Sequence, residues 1–372
     1  VSKNAQVENL AEIFLNEHSL IDVRAPIEFA QGYLPNAVNL PILNDEERAQ
    51  VGTVYKQQGN AAAVELGHQL ISGEIKNQRV QAWLSHLKKN PDSIIYCFRG
   101  GQRSSLAQNW IADAGFECPR LRGGYKRARR FLIDQLVLFS TTQDLILISG
   151  PTGSGKTLLL QELEYPALNL EALANHRGSA FGAYTTSQPS QAQFENQLSV
   201  AMIKLGLNRP LKQRPLLEDE SRMIGKCVLP EVLFLRMRAA PVIWIDEPIE
   251  IRIQNIFEDY ILRSAIGQSI KNESSPLSSD DALKVFSSFK ISMQEISKKL
   301  GGLKHKEVLQ DIVEAEMAFV ERNSLEENKK WIEKLLIHYY DPLYKKSLEL
   351  RKPKTLFRGT RKQCAAYLSS EN

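Results

Sequence analysis

The chain has 372 residues, 43% apolar and 24% charged, and a formal charge of +4, so its composition is globular and leaves little room for extended disorder. That length exceeds one ordinary core and favours two domains, or two and a helical extension. No run approaches the roughly 18 apolar residues that a membrane span needs, and the polar start Val1–Asn9 lacks the layout of a signal peptide, so a cytoplasmic protein with no membrane partner is expected. The four cysteines, 97, 118, 227 and 364, lie too far apart for a zinc-ligand pair and are too few for a disulfide framework, and they read as thiols.

In chain order, the first 125 residues alternate short β-rich runs with helical stretches, the pattern of an α/β domain with a largely parallel sheet. Leu20–Val23, Ala37–Leu40, Ile94–Cys97 and Cys118–Leu121 are the expected strands, and Val80–Lys89 and Ser104–Ala114 the expected helices. The basic segment Tyr125–Phe139 reads as a connecting helix. A second α/β unit follows, with Leu145–Ser149, Ala167–Leu170, Leu216–Glu218 and Val242–Asp246 as buried strands. From about residue 248 apolar positions recur at helical spacing without clear strands. The expected divisions are 10–135, 136–250 and a helical region 251–372.

Cys97 ends an apolar strand and enters the loop Phe98-Arg99-Gly100-Gly101-Gln102-Arg103-Ser104 ahead of a helix. Inward backbone N–H groups of Gly100, Gly101 and Gln102, with the helix N-terminus, would bind an anion and favour a thiolate, and Arg99 and Arg103 would reinforce both effects. Cys118, Cys227 and Cys364 lack this setting and read as structural. Lys126, Arg127, Arg129 and Arg130 form one basic block; residues 345–362, with Arg351, Lys352 and Lys354, hold eight Lys or Arg against one acid. Such blocks can neutralise the phosphates of a nucleic acid, or simply solvate a helix face.

Gly150-Pro151-Thr152-Gly153-Ser154-Gly155-Lys156-Thr157 fits the P-loop pattern in full, between an expected strand and helix. Its glycines let backbone wrap a diphosphate, Lys156 supplies a point charge, and Thr157 can ligate Mg2+. The acidic metal partner is read as Asp219, with Asp246 the open alternative, each at the end of an apolar strand. His176, Arg177 and Ser179 follow the second strand of this unit, and with Asp219 and Arg222 they are the candidate substrate contacts.

The segments Ile21-Asp22-Val23-Arg24-Ala25-Pro26-Ile27-Glu28-Phe29 and Gly32–Pro41, with the Cys97 loop and Gly123-Gly124, resemble rhodanese-like domains, in which the loop cysteine carries a transferable chalcogen. The six-residue spacing from Cys97 to Arg103 is one longer than in the common single-domain loop and matches rhodanese-fold phosphatases and arsenate reductases; Tyr96 stands where many cysteine phosphatases have a histidine, which disfavours that activity. With the P-loop, the Asn175–Ser179 segment and Glu218-Asp219-Glu220-Ser221-Arg222, the whole resembles the bacterial tRNA 2-selenouridine synthases. The resemblance implies a transferase that replaces the sulfur of wobble 2-thiouridine in tRNA with selenium from selenophosphate and that attaches a geranyl group from geranyl diphosphate to the same sulfur. Assigning the P-loop to that diphosphate is an inference from chemistry. An ATP-dependent sulfurtransferase or kinase acting on a small molecule, and a P-loop switch that regulates docking of the thiolate domain, are the competing readings.

Overall fold

The computed structural model describes residues 5–184, 186–207, 213–264, 266 and 279–370, which fall into two compact units. In the first unit five parallel strands are β1 (Gln6–Val7), β2 (Leu20–Asp22), β3 (Ala37–Asn39), β4 (Ile94–Tyr96) and β5 (Arg120–Leu121), in the order β1-β5-β4-β2-β3. Every residue of β2 and β4 is buried, as a parallel sheet covered on both faces requires. One face packs under Trp83, Leu87, Trp110 and Ile111, and the other under Ile13, Phe14, Ala128 and Leu132. Val200 and Ile203 belong to that second cluster, so the helix Gln191–Leu207 belongs to this unit although it follows the P-loop in sequence.

The second unit is built on β6 (Ile146–Ser149), β7 (Ala167–Leu168), β8 (Leu216–Glu218), β11 (Val242–Ile245) and β12 (Thr355–Gly359), all parallel in the order β12-β11-β6-β8-β7. A separate antiparallel pair, β9 (Met223–Ile224) and β10 (Cys227–Val228), follows β8. The C-terminal region is helical, but β12 corrects the expectation that it lacks strands. Its sequence, Thr-Leu-Phe-Arg-Gly, is an edge strand with no fully buried residue, so it carries no apolar run to announce it. The helices Ser279–Leu300, Gly302–Arg322 and Asn328–Leu335 close a core around Phe286, Phe289, Ile312 and Trp331. Among the described residues no helix is long and apolar enough to cross a membrane.

The order of the large sheet puts the C-terminal ends of β6, β8 and β11 side by side, at the position where open parallel sheets bind ligands. In the first unit β4 is flanked by β5 and β2, so Cys97 leaves the sheet from a central strand.

Candidate active sites

Cys97 is 4% exposed and sits directly after β4. The loop is closed by the helix Gly124–Thr142, whose first amides donate to it: Tyr125 N–H to the Cys97 carbonyl and Lys126 N–H to the Phe98 carbonyl, both at 2.9 Å. Gly100 (φ +65°) and Gly124 (φ +58°) make this approach possible; a Cβ on Gly100 would lie 2.8 Å from the Gly123 nitrogen. Below the loop, Arg24 is fully buried, with its guanidinium 2.6 Å from Asp22, 2.8 Å from the Gly32 carbonyl and stacked on Tyr125 at 4.0 Å. That buried network ties strand, loop and helix together.

The Cys97 Sγ lies 3.2 Å from the hydroxyl of Ser104, in the first turn of the helix Gln102–Asp113. Ser104 is itself buried and also donates to the Gly101 carbonyl at 3.2 Å. Sequence reasoning passed over Ser104, although its place just after Arg103, in the helix's first turn, is the available signal. Arg99 is exposed beside the loop, with its guanidinium 6.0 Å from the Phe98 ring centre. Arg103, expected to face an anion, is instead held by Glu28 at 2.5 and 3.1 Å. Burial alone would raise the Glu28 carboxyl, but Arg103 and the Ala25 amide hold it below the usual range. Gly100, Gly101 and Gln102 span the loop from its left-handed turn to the helix start.

Burial pushes the thiol of Cys118 up to about 12, that of Cys364 up to about 11, and that of Cys227 upward. All three therefore stay protonated near neutral pH and suit packing rather than chemistry.

The first basic block divides by helix face. Lys126, Arg127 and Arg130 line an open cleft with Arg99 and Phe131 beside the Cys97 loop. Arg129 points the other way, into Glu195, and donates to Asn196 at 2.8 Å, so it is a structural contact with the inserted helix and not a free cation. In the second block, Arg351 is likewise corrected: its side chain is 4% exposed and bonded to Asp219 at 2.5 Å and to the Met237 carbonyl at 2.9 Å. Lys352 and Lys354 are exposed.

In the second unit, the P-loop bends through Gly150, Gly153 and Gly155, the last two at φ +81° and +82°. Close packing leaves no room for side chains at the first two: a Cβ on Gly150 would meet the Ile245 carbonyl, and one on Gly153 the Arg252 carbonyl, each at 2.7 Å. Arg252 donates to the Thr152 carbonyl at 2.9 Å and Asn255 to the Gly153 carbonyl at 2.8 Å, while the Gly150 N–H donates to the Tyr344 hydroxyl at 2.7 Å. Asp341 holds Arg252 at 2.5 Å. The Ser154 hydroxyl is buried with no hydrogen-bond partner, an orphan inside a loop otherwise fully braced. Lys156 donates to the Gly150 carbonyl at 3.1 Å. Burial would lower its pKa, but the nearby Tyr344, Glu220, Glu171 and Glu218 outweigh that and hold the ammonium charged.

The acids near Thr157 differ from the expected one. Its hydroxyl reaches Glu218 at 2.7 Å and Glu171 at 3.0 Å, whereas Asp219 is occupied by Arg351 and Ser149, and Asp246 by Arg358 at 2.7 Å. Glu218 ends β8 with its side chain on Thr157; Asp219, one position on, points to Ser149 and Arg351 instead, as successive residues of an extended strand diverge. Two carboxylates and a hydroxyl are oxygen donors of the type Mg2+ accepts, completed by water and phosphate. No group of three or more His, Cys, Asp or Glu among the described residues is placed to hold a metal by itself.

Burial, and then the charge of Glu218, push the Glu171 carboxyl up to about 7, against the pull of Lys156 and Thr157. An unfolded glutamate releases its proton near 4.5. The folded chain therefore binds the extra proton between those values, and its stability falls as pH rises from about 4.5 through 7. Glu171→Gln is expected to flatten that part of the unfolding profile. Denaturant midpoints measured from pH 5 to 8 check it, and parallel curves for the two proteins would refute the assignment.

His176, Arg177 and Ser179 form a braced loop after the helix Leu170–Ala174. The His176 Nδ1 accepts from the Gly178 N–H at 3.2 Å, Arg177 pairs with Asp259 at 2.7 Å and lies 4.1 Å from the Tyr184 ring centre, and Ser179 meets Tyr260 at 2.5 Å. Gly178 packs against Glu171 and Glu220, so the loop adjoins the acids behind the P-loop. Arg222 is exposed just before β9.

Both domains have recognisable relatives. Residues 6–130 match the rhodanese-like domain family and residues 143–372 the family described as the tRNA 2-selenouridine synthase AAA domain. A protein of Bdellovibrio bacteriovorus named tRNA 2-selenouridine synthase is 50% identical over 376 residues, covering 99% of this chain and 99% of its own. Proteins of the same name from Nitrosomonas eutropha and Nitrosomonas europaea are 49% and 48% identical, each covering 98% of this chain. Similarity of this extent, running through both units, shows that the chain belongs to the tRNA 2-selenouridine synthase family.

Proposed function

We propose that this tRNA-modifying transferase converts wobble 2-thiouridine to 2-selenouridine in the cytoplasm, with geranyl diphosphate and selenophosphate as co-substrates. In the first step the thiouridine sulfur attacks the geranyl carbon bearing oxygen; a C–S bond forms, the C–O bond breaks and diphosphate leaves into the P-loop. In the second, the selenium of selenophosphate held at the Cys97 loop adds to the base carbon and the C–S bond breaks, releasing the geranyl thiol; the Cys97 thiolate then takes the phosphoryl group as the P–Se bond breaks, and water frees it as phosphate. Alkylation matters because it turns a poor leaving group into a better one. Mg2+ held by Thr157, Glu218 and Glu171 would neutralise charge on the leaving diphosphate.

The observation that carries this reading is the coexistence, in one chain of this family, of a loop built around a buried cysteine and a complete P-loop with an unpartnered Ser154 hydroxyl. A tetrahedral selenophosphate suits the first and a diphosphate the second. Mass spectrometry of wobble nucleosides from cells with and without the protein tests it: 2-selenouridine should vanish without the protein, and its persistence would end the proposal.

For tRNA the cleft of Arg99, Lys126, Arg127 and Arg130 is the proposed phosphate contact beside Cys97, with Lys352 and Lys354 as exposed cations of the second unit. Neutralising Lys126 and Arg130 together is expected to weaken tRNA binding and to flatten the slope of log K against log salt by roughly one to two. Arg129→Ala should lower thermal stability and leave that slope alone. Fluorescence anisotropy over a salt series decides the point, and an unchanged slope in the double variant would return these residues to ordinary surface solvation.

A further inference from the structure

Next to the P-loop, the second unit has a cleft of about 520 Å³, within the range of roughly 300–1,000 Å³ typical of small-molecule sites. Pro151, Trp244, Tyr344, Leu348 and Pro353 give it mainly apolar and aromatic walls. The Trp244 and Tyr344 rings meet with centres 5.6 Å apart, tilted by 49°. Lys345 and Arg358 are exposed cations at the same cleft, and Arg358 is paired with Asp246.

Three contacts make this cleft continuous with the phosphate loop. Pro151 belongs to both, the Tyr344 hydroxyl accepts from the Gly150 N–H, and Arg252, which also lines the cleft, donates to the Thr152 carbonyl. The cleft therefore borders the phosphate loop along Gly150–Thr152, within reach of the non-phosphate part of a ligand held there. The Arg252 guanidinium is engaged by Asp341 and that of Arg358 by Asp246, which leaves Lys345 and Thr355 as the other polar groups at the cleft. A hydrocarbon chain needs only desolvated contact, which Leu348, the prolines and the ring faces supply.

We propose that this cleft binds the hydrocarbon chain of the prenyl diphosphate and sets its length, an inference that rests on the donor reading given above. Leu348 is the residue best placed to tune it, because it is half-buried in the cleft wall on the helix Asp341–Arg351, one turn beyond Tyr344.

The test uses the full chain and calorimetric binding of five probes: ATP, inorganic diphosphate and the dimethylallyl, geranyl and farnesyl diphosphates. Wild-type protein is expected to bind geranyl diphosphate more tightly than inorganic diphosphate. Leu348→Trp should weaken geranyl binding by roughly tenfold while sparing inorganic and dimethylallyl diphosphate. Leu348→Ala should shift preference toward the farnesyl chain, and it serves as the deciding variant if Leu348→Trp fails to fold. An unchanged chain-length ranking in a folded variant that still binds inorganic diphosphate overturns the cleft assignment and leaves the donor reading intact. If wild-type protein binds no diphosphate at all, the donor reading fails first and takes this one with it. Weakened ATP binding with unchanged geranyl binding would assign the cleft to a nucleoside and overturn the proposal.

Discussion

Cys97→Ala is expected to abolish selenium incorporation, lowering it by roughly three orders of magnitude or more, the scale of losing a reacting nucleophile. Alkylation of the thiouridine should survive largely intact, because prenyl transfer uses the substrate's own sulfur and needs no protein thiolate. The surroundings of Cys97 favour a clean result: its sulfur contacts the Ser104 hydroxyl, and the loop is held by backbone bonds from Tyr125 and Lys126, so removing one sulfur leaves the scaffold braced. Cys97→Ser, which keeps a hydrogen-bonding atom of similar size, should be equally inactive if nucleophilicity is what matters. The readout is the ratio of geranylated to selenated nucleoside in purified assays. Selenouridine formed at the wild-type rate by the alanine variant would remove Cys97 from the chemistry.

The parts legible in the sequence are those where a single stretch carries its own physics. Leu216–Glu218 reads as a strand because it is a short apolar run, and β8 has those same bounds. The P-loop is legible because its glycines, lysine and threonine must be adjacent to work. Even so, the identity of the acid beside Thr157 depends on strand register: Glu218 and Asp219 are neighbours, both acidic, and only the direction of the side chain separates them. The basic block at 126–130 shows the same limit, since Arg129 shares its helix face with Tyr125 and Leu132 while Lys126 and Arg130 do not. Tyr344 and Arg252 could not be found at all. They brace the P-loop from helices far along the chain, and nothing local distinguishes a tyrosine that receives a backbone N–H from any other. For the same reason the helix Gln191–Leu207 gave no sign that it packs with the first unit.

Lys156→Ala is expected to lower prenyl transfer by roughly two to three orders of magnitude, the scale of losing one preorganised donor to a charge that grows in the transition state. The ammonium donates to the Gly150 carbonyl, so it is already positioned at the loop before any phosphate arrives. It also offsets Glu171, Glu218 and Glu220, whose carboxyls burial pushes upward, so its removal places three acids together without their cation. Lys156→Ala should therefore also change thermal stability, and Lys156→Arg, which keeps the charge but not the compact shape, separates loss of fold from loss of catalysis. Selenium transfer should behave differently. Supplied with tRNA already geranylated and with selenophosphate, a folded Lys156→Ala protein is expected to form selenouridine at close to the wild-type rate, because in the proposed sequence that step uses Cys97. If the folded variant loses both steps, the P-loop holds tRNA or a nucleotide required throughout, and its assignment to the prenyl donor must be abandoned.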